Sequence, residues 1–281
     1  MTMGYKNKYV IILIILILLS GCNKNSSETN VSFSEGGGLT DIEGNTYPSV
    51  IIENDNGWSQ EWMKVNLKTA TYNDGNPIAQ AMSDVTWTNN EDGAWCYYNN
   101  DPQFEENYGK LYNWHALTGD TIVTMTFNTK NGDENFYNIS VDDYNQSVHG
   151  ALKDTIYTDS ISCKICPDGW RVPYEEDWID LIMVLGYANV AGGKMKDTSS
   201  LWESPNFGAT NESGFSGLPG GIRNGDGSFL YLGQMGRWWC FEEVYEDFVH
   251  TRPLMYDAET TLNHYVIEKE GGLSVRLIKI K

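Results

Sequence analysis

Cys163-Lys-Ile-Cys166 is the tightest pairing of reactive side chains in this chain. In a reducing compartment a C-x-x-C suggests zinc or thiol redox work; in an exported chain without a second pair at zinc spacing it reads as a structural disulfide. Cys96 and Cys240 complete a set of four, so Cys96, Cys163, Cys166 and Cys240 are all candidate disulfide partners and three full pairings are open. His115, His149, His250 and His264 show no H-x-x-x-H spacing, and no G-x-S-x-G occurs. Asn224-Gly-Asp-Gly-Ser228 and Asp55-Asn-Gly57 are fragments of calcium loops, but neither supplies a full oxygen set or a terminal bidentate Glu, so they read as turns. No catalytic set and no metal site is expected, with calcium the one ion left open. Trp238 and Trp239 are adjacent and, on a strand, must point to opposite faces. An outward tryptophan beside Tyr231 would stack on a sugar or a partner protein, so Tyr231, Trp238 and Trp239 are the candidate ligand-binding residues.

These residues sit in a chain whose start reads as an export signal. Lys6 and Lys8 precede an apolar run over residues 9–19, about half of the roughly 20 residues a membrane-spanning helix needs. Leu19-Ser-Gly-Cys22 then resembles a bacterial lipobox, which implies cleavage before Cys22 and acylation of that residue. Several acyl chains at ~0.8 kcal/mol per buried methylene would hold the protein on the cell envelope, with the outer membrane the expected location. Residues 22–38, polar and rich in Ser, Asn and Gly, read as a flexible tether. Residues 39–281 read as one domain.

The full chain carries 19 Lys+Arg against 38 Asp+Glu, a net charge of −19 that becomes −21 once residues 1–21, with Lys6 and Lys8, are removed. No basic tract could follow a phosphate backbone, which argues against nucleic acid. The same charge argues against lying on anionic lipid, so the anchor alone should touch the membrane. Ten Trp, 17 Tyr and 28 Gly point to a β-rich, aromatic-cored, turn-rich chain.

Residues 46–53, TYPSVIIE, and 58–67, ending WMKVNL, flank an NDNG turn and predict a β-hairpin. Around residues 175–185, Trp178, Leu181, Ile182 and Leu185 fall at i, i+3, i+4 and i+7, one face of an amphipathic helix, and Gly186 follows as a stop. Glu175, Glu176 and Asp177 fill its first turn, where the helix dipole favours negative charge. They therefore read as scaffold rather than as a catalytic cluster. AGGKMK at 191–196 reads as a short strand between glycine turns, FLYLG and RWWCFEEV as neighbouring strands about a GQMG turn, and the alternating Leu273, Val275 and Leu277 as a closing strand. The fold class is α+β, strand-rich with one main helix and many Gly/Asn turns. Residues 118–162 differ in texture, reading as a surface insertion, a β-hairpin arm. They hold three triplets, at 120–122, 154–156 and 159–161, that resemble an O-glycosylation sequon of exported bacterial proteins.

The ordered set GNTYPSVII, EWMKVNLKTATYNDGNPI, WCYYNND, YGKLYNWHAL, CPDGWRVPYEEDW, LWESP, TNESGFSGLPGGIRNGDGSF, GRWWC and GGLSVRL resembles the Fibrobacter succinogenes major paralogous domain. The resemblance implies an exported, lipid-anchored protein and an architecture more than an activity. This chain departs from the pattern at Tyr174, where Ser or Thr would cap the helix, at Leu277, where a Cys is usual, and at Cys240, where a Ser is usual. A pairing of Cys166 with the C-terminal strand, which the family would imply, must be replaced or lost here. VPYEEDW and SVRL are also similar to formylglycine-generating enzymes and other C-type-lectin-like domains. That activity needs two reactive cysteines late in the domain, and only Cys240 lies there. The expected function is therefore a non-catalytic binding or adhesion module for a glycan or envelope protein. The alternatives are a structural subunit of a surface assembly, with 118–162 as its contact arm, and an enzyme with a degenerate formylglycine-generating-like fold, whose carboxylates would meet only in three dimensions.

Overall fold

An Asx turn closes the first hairpin. Asn54 Oδ1 accepts from the backbone N–H of Asn56 and of Trp58, both at 3.0 Å, and Gly57 takes the left-handed conformation that the turn needs. The computed structural model describes residues 30–88, 92–118, 163–245, 247–261 and 265–281, and the backbone of 124–128 and 134–138. Its first strands are β1 (Val31–Glu35), β2 (Leu39–Thr40), β3 (Thr46–Tyr47), β4 (Ser49–Asn54) and β5 (Ser59–Met63). β4 and β5 form the expected hairpin, with Ser49 opposite Met63 and Glu53 opposite Ser59. β1 pairs antiparallel with the other edge of β4. Residues 31–35 are thus sheet rather than flexible tether, a correction to the composition-based reading: backbone pairing along β4 offsets the low hydrophobicity of VSFSE.

The middle of the chain is short pieces: β6 (Ala79–Gln80), α1 (Asp84–Thr88), β7 (Ala94–Cys96), α2 (Glu105–Tyr108), β8 (Leu111–Tyr112) and α3 (Trp114–Thr118). Within the expected insertion, β9 (Thr124–Asn128) and β10 (Glu134–Asn138) pair antiparallel. The three sequon-like triplets lie outside the described residues. β11 (Trp170–Arg171) then leads into α4 (Glu175–Val184). The apolar face of α4 is the expected one: Trp178, Leu181, Ile182 and Leu185 share a core with Val50, Ile52 and Trp62. Trp62 and Trp178 stand 4.7 Å apart between ring centroids. Such aromatic pairs add to the large apolar area that each indole removes from water.

AGGKMK is not a short strand between turns. It forms most of α5 (Ala188–Met195). A Cβ on Gly193 would stand 2.2 Å from the Gly208 carbonyl oxygen, and one on Gly192 would stand 2.8 Å from that of Glu259. These glycines serve close packing of the helix on loops, which local propensity cannot reveal.

β12 (Gly220–Arg223), β13 (Phe229–Leu232), β14 (Met235–Tyr245), β15 (Phe248–Met255), β16 (Tyr265–Glu268) and β17 (Ile278–Lys279) complete the fold. β13 pairs with β12, whereas β14 pairs with β15 and β15 with β16. FLYLG and RWWCFEEV are therefore not sheet neighbours. β17 lies inside the first sheet, whose order is β1-β4-β5-β17-β11. The C-terminal chain is so deeply placed that Leu273, Val275 and Leu277 are all fully buried, and it is bracketed by single bridges at Tyr112, Arg223 and Trp238.

β14 divides the interior. Trp238 joins the core beneath α4, while Trp239 joins a second core with Trp95, Trp114, Trp170 and Leu273. Across that divide runs Arg276, 1% exposed. Its Nε donates to Asn66 Oδ1 at 2.7 Å, Nη1 to the carbonyls of Met63 and Phe215 at 2.9 and 2.6 Å, and Nη2 to that of Ser216 at 3.0 Å. Removing this side chain strands several buried acceptors, each costing about 1–3 kcal/mol. Arg276→Met should therefore lower unfolding free energy by about 3 kcal/mol or more in a urea titration, and Arg276→Lys by less. A midpoint for Arg276→Met equal to that of the parent chain would refute this role.

Candidate functional site

The structure buries two of the three aromatic candidates. Trp238 and Trp239 point to opposite faces of β14 as expected, but both faces are covered, and the two are 0% and 1% exposed. Trp238 Nε1 donates to Asn66 Oδ1 at 2.9 Å and Trp239 Nε1 to the Tyr112 carbonyl at 2.8 Å. Neither can stack on a ligand, because α4 shields one and the layer carrying Tyr112 and Trp114 shields the other. Tyr231 does face solvent, at 44% exposure, and takes a left-handed backbone conformation (φ 65°) that is uncommon for an aromatic residue.

The structure brings together two residues that sequence reasoning passed over, Arg237 on β14 and Tyr265 on β16, and Tyr231 acts on Arg237 electrostatically. Arg237 is 7% exposed. Its Nε donates to Thr251 Oγ1 at 2.8 Å and its Nη2 to the Val266 carbonyl at 3.0 Å. The guanidinium carbon lies 5.7 Å from the ring centroid of Tyr265, which is 38% exposed. Burial pulls Arg237 down to about 10, opposed by Tyr265, the Cys240 thiol and Tyr231. Alternation along GRWWC gives Arg237 the face of Trp239, but nothing local announces its meeting with Tyr265.

The acids of the α4 start do the work expected of them and some beyond it. Asp177 accepts the Tyr174 backbone N–H at 2.7 Å, which keeps half of a capping box although Tyr174 supplies no side-chain cap. Asp177 also receives the fork of Arg171 at 2.5 and 2.9 Å, and the Arg171 guanidinium lies over the Tyr174 ring at 4.6 Å. Glu175 forms a buried ion pair with Arg252. Opposite them β14 bulges between Trp239 and Glu243, where the Phe241 N–H reaches the Pro173 carbonyl at 2.8 Å. This brings in Glu242. Burial first, and then the charges of Glu176, Glu175 and Asp177, push its carboxyl up to about 7, against Arg252. Glu176 is also raised, by burial and by Asp177, Asp180 and Glu175. This grouping is the nearest approach to carboxylates that meet only in the fold.

Other sequence candidates resolve into structure. Cys163 and Cys166 form a disulfide with a Cα–Cα distance of 5.3 Å, while Cys96 and Cys240 are free and buried. Burial pushes the Cys96 thiol up to about 12 and the Cys240 thiol well up. Of the four candidate bridge cysteines, those two are thus corrected to core residues. The calcium-loop fragments close as turns: Asp226 Oδ1 accepts from Ser228 N at 2.9 Å and Oγ at 2.6 Å. Among the described residues, no group of three or more His, Cys, Asp or Glu is placed to hold a metal ion. A polar cleft of about 530 Å³ runs between residues 35–40 and 46–49. The carboxylate beside it, Glu61, already accepts from Gly37 N, Ser49 Oγ and Lys279 Nζ at 2.6–2.8 Å. Cys22 lies outside the described residues.

The model of the Fibrobacter succinogenes major domain matches residues 58–279. The chain belongs to this family. No curated protein and no solved structure matches it. Where the family resemblance would pair Cys166 with the last strand, this chain has a fully buried Leu277 there, and Cys166 turns to Cys163 instead. The C-terminal strand of this family member is thus held by packing and by Arg276 rather than by a covalent bond.

Two outcomes follow from these environments. In a chain carrying Cys22→Ser, no thiol should react with a disulfide reagent in the native state, two should react on unfolding, and the remaining pair only after reduction. Glu242 has a folded-state pKa above its ordinary value, so the folded state binds that proton more tightly and stability falls as pH rises from about 4.5 through about 7. Glu242→Gln should therefore stabilise the chain by about 2–3 kcal/mol near pH 8 and hardly at all near pH 4. Equal shifts at the two pH values, in parallel thermal melts, would exclude this origin.

Proposed function

We propose that this family member is a non-catalytic, lipid-anchored protein of the cell envelope, with a C-type-lectin-like domain that binds a glycan or protein ligand. The anchor rests on the lipobox at Cys22, and the lectin-like fold on the likeness of VPYEEDW and SVRL. The observation that carries the binding role is the pair of half-exposed tyrosines, Tyr231 and Tyr265, about the buried Arg237. In a chain that buries nine of its ten tryptophans, two open phenols about one guanidinium are suited to stacking and hydrogen bonding.

A second reading, a subunit of a surface assembly, is favoured by a different patch. Ile179, Met183 and Tyr187, at 39%, 51% and 66% exposure, lie along the outer side of α4 and its end. Ile179 and Met183 are one helical turn apart, so they share a face.

A glycan-array screen of the full chain in detergent, with and without calcium, separates the two readings. Binding to a defined glycan that weakens about tenfold or more in Tyr231→Ala and in Tyr265→Ala, with unchanged melting temperature, is the expected result. A folded protein that binds no glycan, but loses crosslinks to an envelope protein in Met183→Glu, would move the assignment to the assembly subunit.

A further inference from the structure

The buried cations of this chain fall into two kinds. Most have spent their donors on the protein. Lys196 gives its ammonium to the carbonyls of Phe207, Met255 and Ala258, all at 2.8 Å. Arg223 uses Nε on Gly227 O, Nη1 on Ala81 O and Nη2 on Asp84 Oδ1, at 2.7–3.1 Å. Arg276 uses all three nitrogens, as described above. Arg237 differs. Nε and Nη2 are engaged, Nη1 has no partner among the described residues, and the side chain keeps 7% exposure. Among the described residues, the ionisable groups that act on it are two phenols and a thiol, with no carboxylate among them.

A guanidinium that has lost most of its water and still presents donors is matched by a carboxylate, which takes charge-assisted hydrogen bonds from it. Tyr265 and Tyr231 add rings on which the C–H face of a sugar can lie, and hydroxyls that can reach its oxygens. The long-range field is against polyanions, since the chain carries a net charge of −19. A single carboxylate set among neutral rings escapes most of that repulsion and keeps the short-range contact.

We infer that Arg237, Tyr231 and Tyr265 form a subsite for a uronic-acid sugar, Arg237 holding the carboxylate and the two tyrosines the ring. This rests on the glycan-binding reading above and names its ligand class. It also limits the partner to glycans that are neutral apart from isolated or terminal uronates.

The test uses matched pairs that differ only at C6: cellobiouronic acid against cellobiose, and a galacturonate-capped galactose disaccharide against its neutral parent. Tetraglutamate serves as the acidic-peptide control. All are titrated into the full chain in detergent by ligand-observed NMR and calorimetry. At least one uronate should bind about tenfold or more tightly than its neutral partner, because the neutral sugar leaves the guanidinium unpaired. Tyr231→Ala should weaken that binding without moving the melting temperature. Arg237→Lys, which keeps the charge but gives up the separate Nη1 donor, should weaken the preference for the acid; its melting temperature shows whether the Thr251 and Val266 contacts survive. If Arg237→Lys unfolds, Tyr231→Ala and Tyr265→Ala decide alone. Equal binding of acid and neutral sugars would overturn the carboxylate clamp and leave the glycan-binding reading standing. Binding of tetraglutamate in place of both uronates would overturn the sugar assignment. No binding by any probe to the folded chain would overturn the subsite, while the broader array decides the glycan reading separately.

Discussion

One buried guanidinium organises this fold. Arg276 lies where the C-terminal chain crosses between two cores, and its contacts run to Met63 on β5, to Asn66, and to the loop at Phe215 and Ser216. Among the described residues, no carboxylate hydrogen-bonds it. Burial pulls it down to about 9, with Asp197 opposing, so the cost of taking the charge out of water is met by carbonyl dipoles and by the Phe215 ring at 4.6 Å. Asn66 completes the arrangement. It accepts from Arg276 and from Trp238, and donates to the Tyr108 carbonyl and to Ser274 Oγ at 2.9 and 3.1 Å. A half-satisfied network of this kind would be worse than an apolar core, whereas a satisfied one specifies a single arrangement.

The same device recurs wherever the chain is irregular. Lys196 ties α5 to the loops around Phe207 and Ala258, and Arg223, stacked between Trp87 and Phe229 at 4.5 and 4.7 Å, ties β12 to the segment before α1. A strand-rich chain with many glycine turns leaves carbonyls unpaired by any ladder. A long basic side chain with several donors satisfies a number of them at one point. Packing alone could not, because apolar side chains leave those carbonyls orphaned.

What was legible in the sequence was what depends on neighbours along the chain. The NDNG hairpin, the α4 face built from Trp178, Leu181, Ile182 and Leu185, and the opposite directions of Trp238 and Trp239 all follow from local period and turn chemistry. The failures share a different character. α5 looked like a short strand between turns because Gly192 and Gly193 answer to distant carbonyls, and the tryptophan platform failed because α4 and Trp114 arrive from elsewhere to cover it. The candidate site was one-third legible: Tyr231 was found, while Arg237 and Tyr265 meet only through the pairing of β14, β15 and β16. The cysteines illustrate the same limit. Four cysteines behind an expected export signal suggest two bridges, but Cys96 and Cys240 belong to separate cores and act as small apolar residues.

Interior cations also shape the outside. The chain has 19 Lys and Arg against 38 Asp and Glu, and Lys110, Lys196, Arg223, Arg237, Arg252 and Arg276 are among the basic residues withdrawn from the surface. What remains in contact with solvent is more acidic than the formal charge implies. Such a surface stays soluble and repels polyanions over about a Debye length, roughly 8 Å at physiological salt. On the binding role proposed above, recognition comes from short-range chemistry at places where the field is locally reversed. A buried cation can reverse it only if some donor is left over after its structural duties, so the same residues that hold the loops together decide where the surface can bind.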